Sequence, residues 1–140
     1  ENGNKKMLKG FKVISVYGNT SESTVTVTSK YFKFNADTAA ELGYPKYIQM
    51  LIDADNKKFA IQATDEQGAN SIEFKVSEPS ESGKKSVINV AFKAAHATIV
   101  QLMQWGDGAS RKMNGIFVPE EKAIIYDLNK ANTAYNKKAD

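Results

Sequence analysis

The sequence has 140 residues, 41% of them hydrophobic and 25% charged, a composition typical of a soluble globular protein of about one domain. It contains no cysteine, which excludes disulfide bonds, thiol catalysis and thiolate metal sites. The net charge is +3, but only one of the nineteen basic residues is arginine, the side chain best shaped to clamp phosphates, so polyanion binding is permitted rather than required.

The first part of the chain predicts a basic arm followed by β-structure. Residues 1–10 are polar and basic and are predicted to form a flexible arm. Two alternating, β-branched segments, FKVISVYG (residues 11–18) and STVTVTS (residues 23–29), predict an N-terminal hairpin. A further strand, KYFKFN, ends at Asn35, which is predicted to cap a short helix over ADTAAELG.

Three more strands are predicted before a break in the pattern. YIQMLID and KKFAIQA are joined by turn-forming residues 54–56, and SIEFKVS alternates apolar and polar residues. Residues 11–77 are therefore predicted to form an N-terminal β-rich lobe. The segment EPSESGKK (residues 78–85) combines proline, glycine and serine and is predicted to be a linker.

Residues 86–140 predict a C-terminal lobe in the order strand, helix, hairpin. The strand is SVINVAF, the helix covers KAAHATIVQLMQW, and the hairpin joins KMNGIFV to KAIIYDL. A terminal helix is predicted over NKANTAYNKKAD. The lone histidine, His96, falls on the apolar stripe of the central helix and is predicted to be a packed, hydrogen-bonded residue rather than a base. The stripe consists of Phe92, Ala95, His96, Ile99 and Met103.

The order strand, helix, hairpin thus occurs twice. We predict an α+β, β-rich fold in which two strand-helix-hairpin lobes form a shared antiparallel sheet core, preceded by the N-terminal hairpin. The segment N-x-x-x-A-x-x-L-G, followed by a hairpin, resembles the swapped-hairpin lobes of AbrB-type regulators, best over residues 34–62. The resemblance implies an interlocked fold, a homodimer, and DNA binding as a transcription regulator. The family's arginines near the first strand correspond here to Lys30 and Lys33.

Two stretches resemble ligand loops but lack their chemistry. WGDGASRKMNG (residues 105–115) follows a helix and precedes a strand, and no hydroxyl follows Lys112, so it is predicted to be a connector and not a P-loop. Gly106 is expected to cap the preceding helix and Gly108 to form a turn. DADNKK (residues 53–58) begins like a calcium loop but has lysines where an oxygen ligand and glycine belong.

No catalytic constellation stands out in the sequence. There is no serine in a nucleophile elbow, and the paired glutamates lie at a predicted turn. The chain is therefore predicted to be non-enzymatic, without a cofactor or metal. Its apolar runs are too short to span a membrane and no signal sequence opens it, which predicts a cytoplasmic protein without membrane partners.

Two functions are compatible with the sequence, and they differ in whether the binding partner is DNA or another protein. One is a small DNA-binding regulator; the other is a protein-binding inhibitor or adaptor of a phage or other mobile element, for example an anti-defence protein, that binds no nucleic acid. The candidate nucleic-acid-binding residues are Lys5, Lys6, Lys9, Lys12, Lys30, Lys33, Lys84, Lys85, Arg111 and Lys112. The candidate interface aromatics are Tyr31, Tyr44, Tyr47 and Trp105.

Overall fold

The computed structural model describes residues 22–75 and 87–134, which form nine strands and two α-helices. The strands are β1 (Thr24–Val27), β2 (Phe32–Phe34), β3 (Tyr47–Asp53), β4 (Lys58–Thr64), β5 (Ser71–Glu73), β6 (Ile88–Val90), β7 (Ser110–Val118), β8 (Ala123–Asp127) and β9 (Asn132–Ala134). The helices are α1 (Ala36–Glu41) and α2 (Lys93–Met103), and the 3₁₀ turns Pro119–Glu121 and Leu128–Lys130 flank β8.

All nine strands belong to one antiparallel sheet, which confirms the β-rich, antiparallel part of the predicted fold. The strand order is β5-β3-β4-β8-β7-β1-β2-β6, and β9 also pairs with β7. The nine residues of β7 are long enough to pair with three strands. Its first half lies between β1 and β9, and its second half pairs with β8.

Strands from the two halves of the chain alternate around this sheet. The strand β4 pairs with β8, and β2 pairs with β6. In addition, β1 of the first half pairs with β7 of the second, while β5 pairs back to β3. Strands that are consecutive in sequence also pair, β3 with β4 and β7 with β8, in antiparallel register.

The sheet curls around an aromatic core. Phe32 on β2 and Phe59 on β4 have ring centroids 6.0 Å apart, although three strands separate β2 from β4 in the sheet order. Phe34 meets Phe74, which follows edge strand β5, at 5.6 Å, and Tyr126 stacks on Phe59 at 4.8 Å. Because these contacts cross the interior, strand residues alternate between a buried inner face and an outer face.

The two helices form for local reasons. The side-chain oxygen of Asn35 accepts a hydrogen bond from the Thr38 amide, so Asn35 caps α1 as predicted. In α2 the predicted apolar stripe faces the core, with Ile99 fully buried. His96 is half-buried, and its Nε2 lies 2.7 Å from the carbonyl oxygen of Thr28, which confirms a packed, hydrogen-bonded histidine.

Two sequence predictions about the ends of elements are wrong. The left-handed residue that ends α2 is Gln104 (φ 56°), not Gly106, although Gly108 (φ 72°) does form the predicted turn. Residues Asn132–Ala134 form β9 and not a terminal helix, because pairing with β7 satisfies their backbone. The strand β1, which was predicted as the second strand of the N-terminal hairpin, pairs with β2 on one edge and with β7 on the other.

The remaining domain predictions lie outside the described residues. These are the arm over residues 1–10, the first hairpin strand over residues 11–18 and the linker over residues 78–85.

Candidate nucleic-acid interface

Two of the predicted lysines lie in one row on the outer face of the sheet. Thr26 on β1 is in register with Lys33 on β2 and with Lys112 on β7. The row extends to Asn89 on β6 and to Asn132 on β9. We call these five residues, Asn89, Lys33, Thr26, Lys112 and Asn132, the lysine row.

The pleat of the sheet explains why these side chains share a face. Val25 and Val27, the neighbours of Thr26 in sequence, are buried in the core, so Thr26 itself points outward. Lys33 and Lys112 are both exposed. Lys33 and Lys112 lie on the two strands that flank the strand of Thr26, so the backbones of the two lysines are roughly 10 Å apart. Two ammonium groups therefore stand on the same surface, one on either side of a hydroxyl.

A shallow groove of about 520 Å³ surrounds the two lysines. Its described lining contains Lys33 and Lys112 together with the hydroxyl-bearing residues Thr24, Tyr31 and Ser110, and it contains no carboxylate. Hydroxyl and ammonium groups are donors that suit phosphate oxygens. The groove thus offers an anion both positive charge and hydrogen bonds.

Lys30 lies on the turn between β1 and β2, next in sequence to Tyr31, which lines the groove. The Thr28 hydroxyl oxygen accepts hydrogen bonds from the amides of Lys30 (3.2 Å) and Tyr31 (3.0 Å). The same hydroxyl donates to the Tyr31 carbonyl oxygen at 3.0 Å. The turn is fixed by these bonds, and the Lys30 side chain is exposed.

Arg111 does not join the lysine row, although it precedes Lys112 in sequence. It is in register with the inward-facing Val27, and only 15% of its side chain is exposed. Its guanidinium donates to both carboxylate oxygens of Asp107, at 2.9 and 2.7 Å, and lies 4.7 Å from the centre of the Trp105 ring. The Arg111 hydrogen bonds lower the pKa of Asp107 to about 2. The positive charge of Arg111 is therefore neutralised by Asp107, within the connector between α2 and β7.

The four predicted aromatics do not form one surface. Tyr31 lines the lysine groove, whereas Trp105 packs beneath Arg111. Tyr44 is 60% exposed after α1, in a left-handed conformation (φ 55°), and Tyr47 lies on β3. The six other basic candidates, Lys5, Lys6, Lys9, Lys12, Lys84 and Lys85, lie outside the described residues.

A second outer surface was missed by sequence reasoning. Leu51, Ala60, Ile125 and Ile116 are in register on the adjacent strands β3, β4, β8 and β7, and we call them the apolar row. Leu51 is 45%, Ile125 37% and Ile116 58% exposed. The signal in the sequence is the run AIIY, in which the residue between two core positions is isoleucine instead of a polar residue.

Comparisons with protein-family models, curated proteins and solved structures returned no match. Within residues 22–75 and 87–134, no three acidic or histidine side chains converge as metal ligands would. In the same ranges, no helix combines the length and apolarity required to cross a bilayer.

Proposed function

We propose that this chain is a small non-enzymatic regulator that binds DNA through the lysine row. The observation that supports this most directly is the register of the row: Lys33 and Lys112 flank Thr26 in a groove whose described lining has no carboxylate. The AbrB-type resemblance, which assigns DNA contacts to Lys30 and Lys33, points to the same surface.

The chemistry of the row suits a phosphate backbone with limited base readout. Lysine is a compact point charge that attracts phosphates without reading sequence, and threonine and serine hydroxyls fix the position of the backbone. Exposed asparagines, Asn89 and Asn132, stand at the two ends of the row. An asparagine amide can donate to and accept from an adenine edge, so sequence preference would arise at the two ends of the lysine row.

We also propose that the sheet consists of two interlocked strand-helix-hairpin lobes. The first comprises β1, β2, α1, β3 and β4, and the second comprises β6, α2, β7 and β8. We add β5 to the second lobe, although it lies within residues 11–77, the predicted first lobe. Reciprocal pairing supports this changed boundary, because β1 pairs with β7 of the second hairpin and β5 pairs with β3 of the first. The like-with-like pairs β2–β6 and β4–β8 are what an internal twofold requires. The lysine row crosses both lobes, so the interlocking assembles the binding face.

Neighbouring residues 111 and 112 provide a matched test of DNA binding. Each substitution, Lys112→Gln or Arg111→Gln, removes one positive charge, but only Lys112 faces the groove. We expect Lys112→Gln to weaken duplex binding about three- to tenfold at low salt, measured by mobility shift, because it removes a phosphate contact. Arg111→Gln should leave the affinity within about twofold, since its charge is already paired.

Two outcomes would contradict this proposal. One is the absence of a shift by the parent at low salt. The other is an equal loss of affinity in Arg111→Gln and Lys112→Gln, which would mean that the net charge and not the lysine row attracts DNA.

The apolar row favours a second candidate function, a protein-binding inhibitor or adaptor. Isoleucines that are 58% and 37% exposed on neighbouring strands are unusual on a surface that contacts only water. For this function we expect no binding to duplex DNA, and we expect Ile116→Lys to abolish binding to the partner while Lys112→Gln preserves it.

A further inference from the structure

The apolar row lies between two polar rows on the outer face of the sheet. On one side it is bordered by a charged row in which Lys58 on β4 is in register with Asp53 on β3 and Asp127 on β8. On the other side Gln49 donates a 2.8 Å hydrogen bond to Gln62. An apolar strip between polar borders is the usual layout of a protein–protein contact.

We infer that the apolar row is the contact between two copies of this chain, packed face to face. The four strands concerned lie in the order β3-β4-β8-β7. Consider a twofold axis that is parallel to these strands and passes between β4 and β8. Under this axis, β4 of one copy packs against β8 of the other copy, and β3 of one copy packs against β7 of the other. Each row of side chains then meets the same row of the second copy, as an isologous dimer requires.

Beside the axis this arrangement pairs a large side chain with a small one. Ala60 lies opposite Ile125 of the second copy, and the pair occurs twice around the axis. Farther from the axis, Leu51 and Ile116 face each other, and both of them are large. Alternation of large and small residues allows two sheet faces to interdigitate. Two equally bulky residues beside the axis would instead hold the faces apart.

The charges in the bordering row match under the same rotation. Lys58 of each copy lies opposite Asp127 of the other, so two unlike pairs form and no like charges meet near the axis. Ile116, Ile125, Lys58 and Asp127 line one depression on the outer face, which places the apolar and charged parts within a single contact surface. This charge complementarity is the reason for assigning the surface to a second copy.

The area of the surface limits the affinity that we expect for the dimer. Four strands and three rows of side chains cover roughly 400 Å² per copy, about half of what a standard interface buries on each partner. We therefore expect a dimer that dissociates in the micromolar range. This inference does not depend on DNA binding, because no residue of the lysine row enters the argument, although Lys112 and Asn132 border the same depression.

Sedimentation equilibrium of the full chain between about 5 and 500 µM tests the inference. The parent should pass from monomer to dimer across this range. Ile116→Lys places two ammonium groups in the apolar row and should remain monomeric throughout. Val87→Lys is the control, because Val87 is 52% exposed outside the row, and it should dimerise like the parent.

Charge reversal tests the orientation of the two copies. Lys58→Asp places like charges opposite Asp127 of the second copy, and Asp127→Lys does the same opposite Lys58. Each single variant should dimerise about tenfold more weakly, and the double variant should return to within about twofold of the parent. Lys58 and Asp127 also face each other within one copy, so melting temperatures at 5 µM serve to separate folding effects from dimerisation.

Three results would overturn the inference. These are a parent that stays monomeric at 500 µM, dimerisation that survives Ile116→Lys, and a double reversal no better than the single variants. A monomeric parent that binds an unrelated protein in an Ile116-dependent manner would assign the surface to that protein instead.

Discussion

At the scale of single residues, adjacent positions in one strand have opposite roles. Arg111 and Lys112 are consecutive basic residues, yet strand alternation sends one into the Asp107–Trp105 contact and the other to the outer groove. Sequence reasoning grouped them because it began the strand at Lys112, whereas β7 begins at Ser110. Had the strand been started two residues earlier, alternation alone would have separated them.

The Asp107–Arg111 pair predicts a defined pH dependence. The folded-state pKa of Asp107 is about 2, below its ordinary value of 3.8. A lowered pKa means that the pair stabilises the fold above about pH 4, and that this contribution is lost as pH falls towards 2. In melting experiments the parent should exceed Asp107→Asn slightly at pH 6, by a small amount because the carboxylate is exposed.

The same series contains its own control. Well below pH 2 the two proteins should melt together, because the carboxylate of the parent is then largely protonated in the folded state as well as in the unfolded state. A difference that stays constant or grows towards low pH would show that Asp107 acts through something other than its charge.

At the scale of secondary-structure elements, local signals predicted the helices and hairpins, and distant pairing decided the rest. The Asn35 cap and the β3–β4 hairpin depend on residues close together in sequence, so both were predictable. The β1–β7 pair joins residues almost ninety positions apart, and β9 exists because β7 offers it an edge. No local pattern in STVTVTS or NKANTAYNKKAD encodes either partner, which is why a hairpin and a helix were predicted there.

Gly115 shows how tightly β7 and β8 are packed. A Cβ at this position would clash with Ile124 Cγ2 and would lie 2.7 Å from Tyr126 Cε1. Both neighbours are fully buried, so neither can move aside. We expect Gly115→Ala to lower the free energy of unfolding by about 1–3 kcal/mol, measured by urea denaturation.

Gly106→Ala is the matched control for this substitution. A Cβ at Gly106 meets nothing within 4 Å of the described chain, and its φ is not positive. This variant should unfold within about 0.5 kcal/mol of the parent. An equal loss in both variants would mean that the close approach of Ile124 and Tyr126 is not what destabilises Gly115→Ala, because the reduced flexibility of the unfolded chain should if anything stabilise both variants.

At the scale of the whole molecule, the proposed function depends on which residues the curled sheet brings onto one face. Lys33 and Lys112 are 79 positions apart and meet only because β1 lies between β2 and β7. The sequence identified both lysines as candidates but gave no means of separating them from the other basic residues. The apolar row is assembled in the same way from four strands, and it follows from the register of the sheet alone.

The central claim, that the lysine row binds the DNA backbone, is tested most directly by the salt dependence of duplex affinity. Each lysine that neutralises a phosphate contributes about 0.9 to the slope of log affinity against log salt. Between 50 and 200 mM salt, the double variant Lys33→Gln/Lys112→Gln should therefore show a slope about two units shallower than the parent. An unchanged slope, with both proteins binding DNA, would place the phosphate contacts elsewhere and contradict the account.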